Sequence, residues 1–198
     1  MIKLKQELKE YIDSGNGKDK LRETLLLTSP ENRFNVLKTV KGLDGTWTGL
    51  HRAARENHFE LIASMMDGFA AADKYYLVQM QKKDSKTGLH FVATNGNTSM
   101  LSYLVDGFSL EQKHDLFSQK DKDEGTALHN AASEYHGETV NFMLSSVSSH
   151  LLKELLKIKN KDGQTVTDIR PELHDEVPLL ISEGMKVPGF VPVLCQAV

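Results

Sequence analysis

One short motif recurs along the chain at a constant interval. Thr-Gly-Leu-His stands at 48–51 and 87–90, Thr-Ala-Leu-His at 126–129, and a degraded copy, Thr-Val-Thr-Asp, at 165–168. Each copy begins 39 residues after the previous one, and apolar residues recur in the same register. A sequence that repeats at a fixed period of this size indicates a stack of similar units in which each unit contacts its neighbours.

The apolar positions inside each interval indicate helices. Ile62, Met65 and Met66 are spaced by three and four, as on one face of a helix, and equivalent apolar residues follow in the next two units. Gly, Asp and Asn cluster between the units, as turns require. Each unit is therefore predicted to contain a turn, a short first helix with Thr as its N-cap, an antiparallel second helix and a third short helical stretch.

The sequence Thr-x-Leu-His-x-Ala-Ala resembles the signature of the ankyrin repeat. The resemblance covers roughly residues 44–183 and is good in three units, although the fourth has lost its Leu-His. Gly49, Gly88 and Ala127 replace the usual proline, and the period is 39 residues where the family has about 33. The six extra residues match the third helical stretch, and lengthened repeats of this kind resemble those in proteins of intracellular bacteria.

This resemblance implies an all-α, ankyrin-like solenoid with capping repeats at both ends. Residues 2–13 form an amphipathic pattern that carries Ile2, Leu4, Leu8 and Ile12, which suits a cap with a polar outer face. The predicted parts of the single repeat domain over 1–183 are an opening cap at 1–43, repeats at 44–82, 83–121 and 122–160, and a closing partial repeat at 161–183. Residues 184–198 are predicted to be an extended tail.

Composition excludes several classes of function. The chain has 24 Lys+Arg against 27 Asp+Glu and a formal net charge of -3, which argues against nucleic-acid binding. A single Cys excludes an intramolecular disulfide and any zinc cluster built from cysteines. No secretory signal and no apolar run that could span a membrane is visible. The sequence thus predicts a soluble, cytoplasmic and monomeric protein without a cofactor.

Three histidines recur once per unit and resemble a metal set at first sight. Their spacing argues otherwise, because residues at one position of neighbouring units lie about 10 Å apart, whereas zinc needs all its nitrogen ligands within about 2.1 Å. The resemblance to ankyrin repeats implies that His51, His90 and His129 and the preceding threonines hydrogen-bond the neighbouring turn. His58 and His136 also share one repeat position and are interpreted in the same way. No acid–base pair, catalytic triad or metal motif is visible, so no enzymatic activity is predicted.

The resemblance implies that the chain binds another protein on a concave surface of first helices and turn tips. The family's variable surface positions fall on Thr46, Trp47, Ser85, Lys86, Glu124 and Gln164 at the tips, and on Arg55, Glu56, Thr94, Asn95, Ser133 and Glu134 in the first helices. Trp47 is the sole Trp, and Trp and Arg are enriched in binding hot spots, so Trp47 is expected to anchor a partner together with Arg55 and Glu56. The alternative is that Trp47 packs back on the opening cap.

Three functional hypotheses follow. The first is a non-enzymatic interaction module or adaptor, including a bacterial effector that acts in the cytoplasm of a host cell. The second is a membrane-tethered adaptor prenylated at Cys195, because Cys195-Gln196-Ala197-Val198 has the loose form of a prenylation box, although a chance ending explains it more simply. The third is an enzyme whose site is not recognisable in the sequence.

Overall fold

The structure is a computed structural model and describes residues 1–173. The helices of this part of the chain are α1 (Ile2–Ser14), α2 (Lys18–Leu26), α3 (Pro30–Leu37), α4 (Gly49–Arg55), α5 (Phe59–Met66), α6 (Ala71–Val78), α7 (Gly88–Thr94), α8 (Thr98–Val105), α9 (Leu110–Ser118), α10 (Ala127–Ser133), α11 (Gly137–Ser145), α12 (Ser149–Leu155) and α13 (Val166–Ile169). The predicted all-α solenoid is confirmed. The predicted tail at 184–198, Cys195 and the end of the closing repeat lie outside the described residues.

The helices stack in repeating order. The first helices of successive units contact one another in the order α1, α4, α7, α10 and α13. Within each unit the second helix packs on the first, as α5 does on α4, α8 on α7 and α11 on α10. The third helices add a further set of contacts, of which α9 with α12 is an example. One continuous apolar core runs through the stack, and it contains the leucine of each Thr-x-Leu-His motif.

The first helices of the three full repeats, α4, α7 and α10, each begin with a cap in which a Thr and the residue three positions later bond each other. The backbone N–H of Thr48 donates to Nδ1 of His51 at 3.3 Å, and the backbone N–H of His51 donates to Oγ1 of Thr48 at 3.3 Å. Because Nδ1 accepts, the ring proton lies on Nε2, which contacts the carbonyl oxygen of Met80 in the next turn at 2.9 Å. The same capping pattern opens α7, α10 and α13 from Thr87, Thr126 and Thr165. The motif therefore recurs because it both starts a helix and ties one unit to the next.

The turn before the first full repeat is one residue longer than the others. Backbone N–H groups close the later turns from Lys82 to Lys86, from 121 to 125 and from 160 to 164, whereas the first turn is closed from Gly42 to Trp47. Upstream of this turn the apolar residues are spaced from those of the first repeat by 40 residues instead of 39, as Leu21 is from Leu61 and Leu25 from Met65, which agrees with one inserted residue. Trp47 directly precedes the capping Thr48 and therefore corresponds to Lys86, which precedes Thr87 in the next unit.

The opening cap is joined to the first repeat through its first helix. Leu4, Leu8 and Ile12 are buried as the amphipathic pattern predicts, whereas Ile2 is 85% exposed in the first turn of α1. Tyr11 is fully buried although it was not in the predicted pattern, and its hydroxyl lies 2.8 Å from Nδ1 of His58. The cap thus contributes both apolar packing and a polar contact to the stack.

Candidate protein-binding surface

The inner surface is defined here as the face made by α4, α7, α10 and the turn tips before them. In the first repeat the side chains on this face are those of Arg52, Arg55 and Glu56, together with Thr46 and Trp47 at the end of the turn, and the later repeats use the equivalent positions. The inner helices are seven residues long, and their alanine pairs, such as Ala53 and Ala54, are fully buried. Small residues on the core side let neighbouring units approach closely, so side chains of adjacent units meet across this surface.

Trp47 packs on a residue of the next unit. Its ring stacks on Phe91 of α7, with ring centroids 5.4 Å apart and an angle of 27° between the planes. His51 meets both rings edge-on at 6.4 Å. The Trp47 side chain is half-buried and part of the apolar packing, and its ring extends forward along the stack. Its backbone contacts the chain before the first repeat, because the Trp47 carbonyl oxygen accepts a hydrogen bond from the backbone N–H of Gly42 at 2.9 Å.

Two cationic groups lie beside this aromatic pair. The Arg55 guanidinium carbon is 5.4 Å from the Trp47 ring centroid, and Nζ of Lys82 is 4.8 Å from it. Lys82 also pairs with Asp84 at 2.5 Å. Partial burial alone would raise the pKa of the Asp84 carboxyl, but the hydrogen bond from Lys82 outweighs it and the pKa lies below its usual value. We call Trp47, Phe91, Arg55 and Lys82 the Trp47 cluster. It combines apolar area with a guanidinium, the two features that are common in binding hot spots.

The predicted third member, Glu56, is directed elsewhere. Its carboxylate pairs with Arg52 at 3.5 Å, one turn back on α4. The structure therefore brings Trp47 and Arg55 into contact as the sequence suggested, and it places Glu56 in an ion pair within its own helix.

Several other predicted contact residues make bonds within the stack. Asn95 donates from Nδ2 to the carbonyl oxygens of Ala54 and Arg55 at 2.9 and 3.2 Å, so its amide caps the end of α4. Thr94 donates from Oγ1 to the carbonyl of its own helix at position 90. Lys86 pairs with Asp121, Glu124 with Lys120, and Thr46 bonds Asp44 in its own turn. The Gln164 carbonyl is the acceptor that faces His129.

The remaining predicted residues are Ser85, Ser133 and Glu134. Ser85 is half-buried and adopts a left-handed backbone conformation, with φ of 62° at the place where a turn glycine would be expected. Ser133 and Glu134 are exposed at the end of α10. Tyr135, which follows them, is 80% exposed with φ of 60°.

Phe91 and Lys82 were not predicted as surface residues. A signal for Phe91 was present, because it occupies the repeat position of Arg52 and Asn130, where the other units carry polar residues. Lys82 gave no such signal, since its approach to the Trp47 ring depends on side-chain directions that the repeat pattern does not fix.

The three histidines of the Thr-x-Leu-His motifs, His51, His90 and His129, are buried, and burial favours their neutral form. Burial lowers the pKa of His51 to about 4 and that of His90 to about 4, and it lowers the pKa of His129 as well. His136 donates toward its neighbouring unit through a 2.9 Å contact between Nε2 and the carbonyl of Thr94. His51 and His129 contact the neighbouring turn through Nε2 in the same way, whereas Nε2 of His90 is buried without a hydrogen-bond partner among residues 1–173. Within residues 1–173 no group of three or more His, Cys, Asp or Glu side chains is placed to hold a metal ion.

A cleft on the other side of the molecule is the alternative site. It lies between α2 and the loop that joins α4 to α5, and Lys18, Arg22, His58 and Glu60 are among its lining residues. Arg22 already pairs with Glu60 at 3.4 Å and donates to Ser64 at 3.3 Å, while His58 is bonded to Tyr11. Its polar groups thus mainly hold α2 against α5, and we place the candidate site on the inner surface instead.

The fold and this surface define a helical repeat protein whose exposed inner face is made from short, recurrent capped helices. A family model described as "Ankyrin repeats (3 copies)" matches residues 12–154, and the chain belongs to the ankyrin-repeat family. Ankyrin repeats are a protein–protein interaction fold, so the partners of this chain are proteins. No curated protein matches the sequence. Among residues 1–173, no helix has the length and apolar character needed to cross a membrane.

Proposed function

We propose that the chain is a non-enzymatic adaptor that binds a partner protein on its inner surface, with the Trp47 cluster as the anchor. The observation that carries the proposal is the stack of Trp47 on Phe91 beside the Arg55 guanidinium. A large aromatic side chain supplies buried area, and a guanidinium supplies directional hydrogen bonds. Such pairs account for much of the binding energy at protein interfaces.

The lengthened 39-residue repeat supports a finer proposal, that this adaptor is a bacterial effector working in the cytoplasm of a host cell. A pull-down from host-cell extract, followed by mass spectrometry, would identify candidate partners. A partner must then bind the purified chain directly with a measurable Kd before it is used in further tests.

The decisive variants are Trp47→Ala and Arg55→Ala. If Trp47 is a hot spot, its removal weakens binding by at least about 2 kcal/mol, or roughly thirty-fold in Kd. Because Trp47 also stacks on Phe91, Trp47→Ala is expected to lower stability as well, so affinity is measured under conditions in which circular dichroism shows the variant folded.

Arg55→Ala separates binding from folding, because Arg55 is exposed and its removal leaves the core intact. It should weaken binding while the urea midpoint stays near that of the wild type. Lys83→Ala, at an exposed position on a neighbouring turn, serves as the matched control and should change neither property. Full affinity in folded Trp47→Ala and Arg55→Ala proteins would refute the proposed anchor.

A further inference from the structure

We infer that the Trp47 cluster receives an acidic segment of the partner protein, in which an Asp or Glu side chain pairs with Arg55 and an adjacent apolar side chain covers the aromatic pair. This inference rests on the proposed function, because it specifies the chemistry of the partner at the same site.

Arg55 differs from every other arginine of the chain. All five arginines lie within the described residues, and four of them pair with carboxylates: Arg22 with Glu60, Arg33 with Asp67, Arg52 with Glu56, and Arg170 with Glu172. Arg55 makes no ion pair and no side-chain hydrogen bond with any residue of 1–173, and its contact there is with the Trp47 ring. Its N–H donors therefore remain available to an outside acceptor.

The carboxylates near Arg55 are already committed to other groups. Glu56 pairs with Arg52, and Asp84 pairs with Lys82. Asp44 accepts hydrogen bonds from Thr46 within its own turn, which helps to lower the pKa of the Asp44 carboxyl. An acceptor for Arg55 must therefore come either from solvent or from a partner.

The position of the guanidinium favours a carboxylate over another ring. The guanidinium carbon lies 5.4 Å from the Trp47 ring centroid, so an aromatic ring already neighbours this group, while its N–H donors have no acceptor among residues 1–173. Those donors match the two oxygens of a carboxylate. The half-buried rings of Trp47 and Phe91 present apolar area next to it. A partner segment with an acidic residue beside an apolar one is complementary to the guanidinium and to the aromatic pair. The contact with the Trp47 ring restricts the Arg55 side chain before binding, so less conformational entropy is lost when the partner binds.

The test uses peptides displayed at random and selected on the immobilised full chain. Peptides of about twelve residues that bind should be enriched in Asp or Glu at one position next to an apolar residue. For a selected synthetic peptide, replacing that Glu by Gln should weaken binding at least ten-fold. The emission of Trp47, the sole Trp, reports binding at this site directly.

Charge reversal provides the sharper measurement. Arg55→Glu should abolish binding of the acidic peptide, and a peptide with Lys in place of the Glu should recover part of it. Arg55→Lys, which keeps the charge and loses the planar fork, should give an intermediate loss. Lys122→Glu makes the same change of charge at an exposed turn position and should alter affinity by less than about three-fold, because exposed charges are screened by salt.

Each outcome distinguishes this inference from the proposed function. Selected peptides that lose binding in Trp47→Ala but show no acidic preference would overturn the acidic partner and leave the binding surface intact. Equal losses in Arg55→Glu and Lys122→Glu would also overturn it, because the effect would then be one of net charge. If no peptide is selected, or if binding is unchanged in Trp47→Ala, both the inference and the proposed anchor are wrong.

Discussion

The two junctions between the three full repeats share one framework and differ on their inner surface. At the first junction, between 44–82 and 83–121, Trp47 stacks on Phe91. At the second, between 83–121 and 122–160, the equivalent positions hold Lys86 and Asn130. Lys86 pairs with Asp121 at 3.7 Å, and Asn130 donates to the carbonyl of His90 and to Thr94 at 3.4 and 3.3 Å.

This difference shows that the surface at a junction between repeats can change while the fold stays the same. At both junctions a Thr–His cap opens the inner helix, and a buried leucine and small residues fill the core. At the second junction the surface side chains satisfy one another. At the first junction, the rings of Trp47 and Phe91 are half-buried, and the Arg55 guanidinium has no acceptor among residues 1–173.

The largest expected effect is the loss of folding stability at low pH, which arises from the capping histidines of the repeats. His51 and His90 each have a folded-state pKa of about 4, below the ordinary value of 6.5, because both are buried. The unfolded chain therefore binds more protons between these values, and stability falls as pH drops from about 6.5 through about 4. Each histidine should account for about 3 kcal/mol over this window. Urea midpoints measured from pH 7 to pH 5 would show roughly half of this loss.

Variants of the two histidines test whether His51 and His90 contribute equally to the pH dependence of stability. His51→Gln and His90→Gln should each lower stability at pH 7 and flatten its dependence on pH to a similar degree. His150→Gln, at an 81% exposed side chain, should leave the dependence unchanged. A stability that is constant from pH 7 to pH 5 in the wild type would contradict the assignment of buried, neutral histidines.

Removal of apolar volume from the unit that both junctions share should have the next largest effect. Leu89 is fully buried in α7, at the position of Leu50 and Leu128 in the flanking units. Leu89→Ala should lower the free energy of unfolding by about 2–5 kcal/mol, as large-to-small core changes do. Lys83→Ala should stay within roughly 0.5 kcal/mol of the wild type. Similar urea midpoints for the two variants would mean that the deduced repeat register is wrong.

The framework could be predicted from the sequence because it repeats. Four copies of one motif fix the capping threonines and the buried leucines, and periodicity identifies the faces of the second helices. The Trp47 cluster could be predicted only in part, since its contacts do not repeat. Its formation depends on side-chain directions across a junction, so Trp47 and Arg55 were predicted while Phe91 and Lys82 were not.

The contrast between the junctions predicts different responses at equivalent positions. Phe91→Ala removes a half-buried ring stacked on Trp47 and should lower stability by about 1–2 kcal/mol. Asn130→Ala removes two long hydrogen bonds and should cost about 0.5–1 kcal/mol. Trp47 emission adds an independent measurement, because it should shift to longer wavelength in Phe91→Ala and stay unchanged in Asn130→Ala. A shift in both variants, or in neither, would remove the distinction between the two junctions.

The smallest effect concerns the loops that follow the inner helices, where the units differ in backbone strain. Asn57, Gly96 and Tyr135 occupy one repeat position with φ of 58°, 66° and 60°. Glycine adopts this left-handed conformation freely and Asn tolerates it, but a Tyr there is strained, by about 1–2 kcal/mol. Tyr135 is 80% exposed, so its side chain gains little from burial. Tyr135→Gly should therefore raise stability, by about 0.5–1 kcal/mol after the extra entropy of glycine in the unfolded chain is subtracted.

Gly96→Ala is the reciprocal variant and should destabilise, because a Cβ there would lie 2.5 Å from the His136 ring. Urea midpoints measure both, and a loss of stability in Tyr135→Gly would mean that the tyrosine ring contributes packing that offsets its strain.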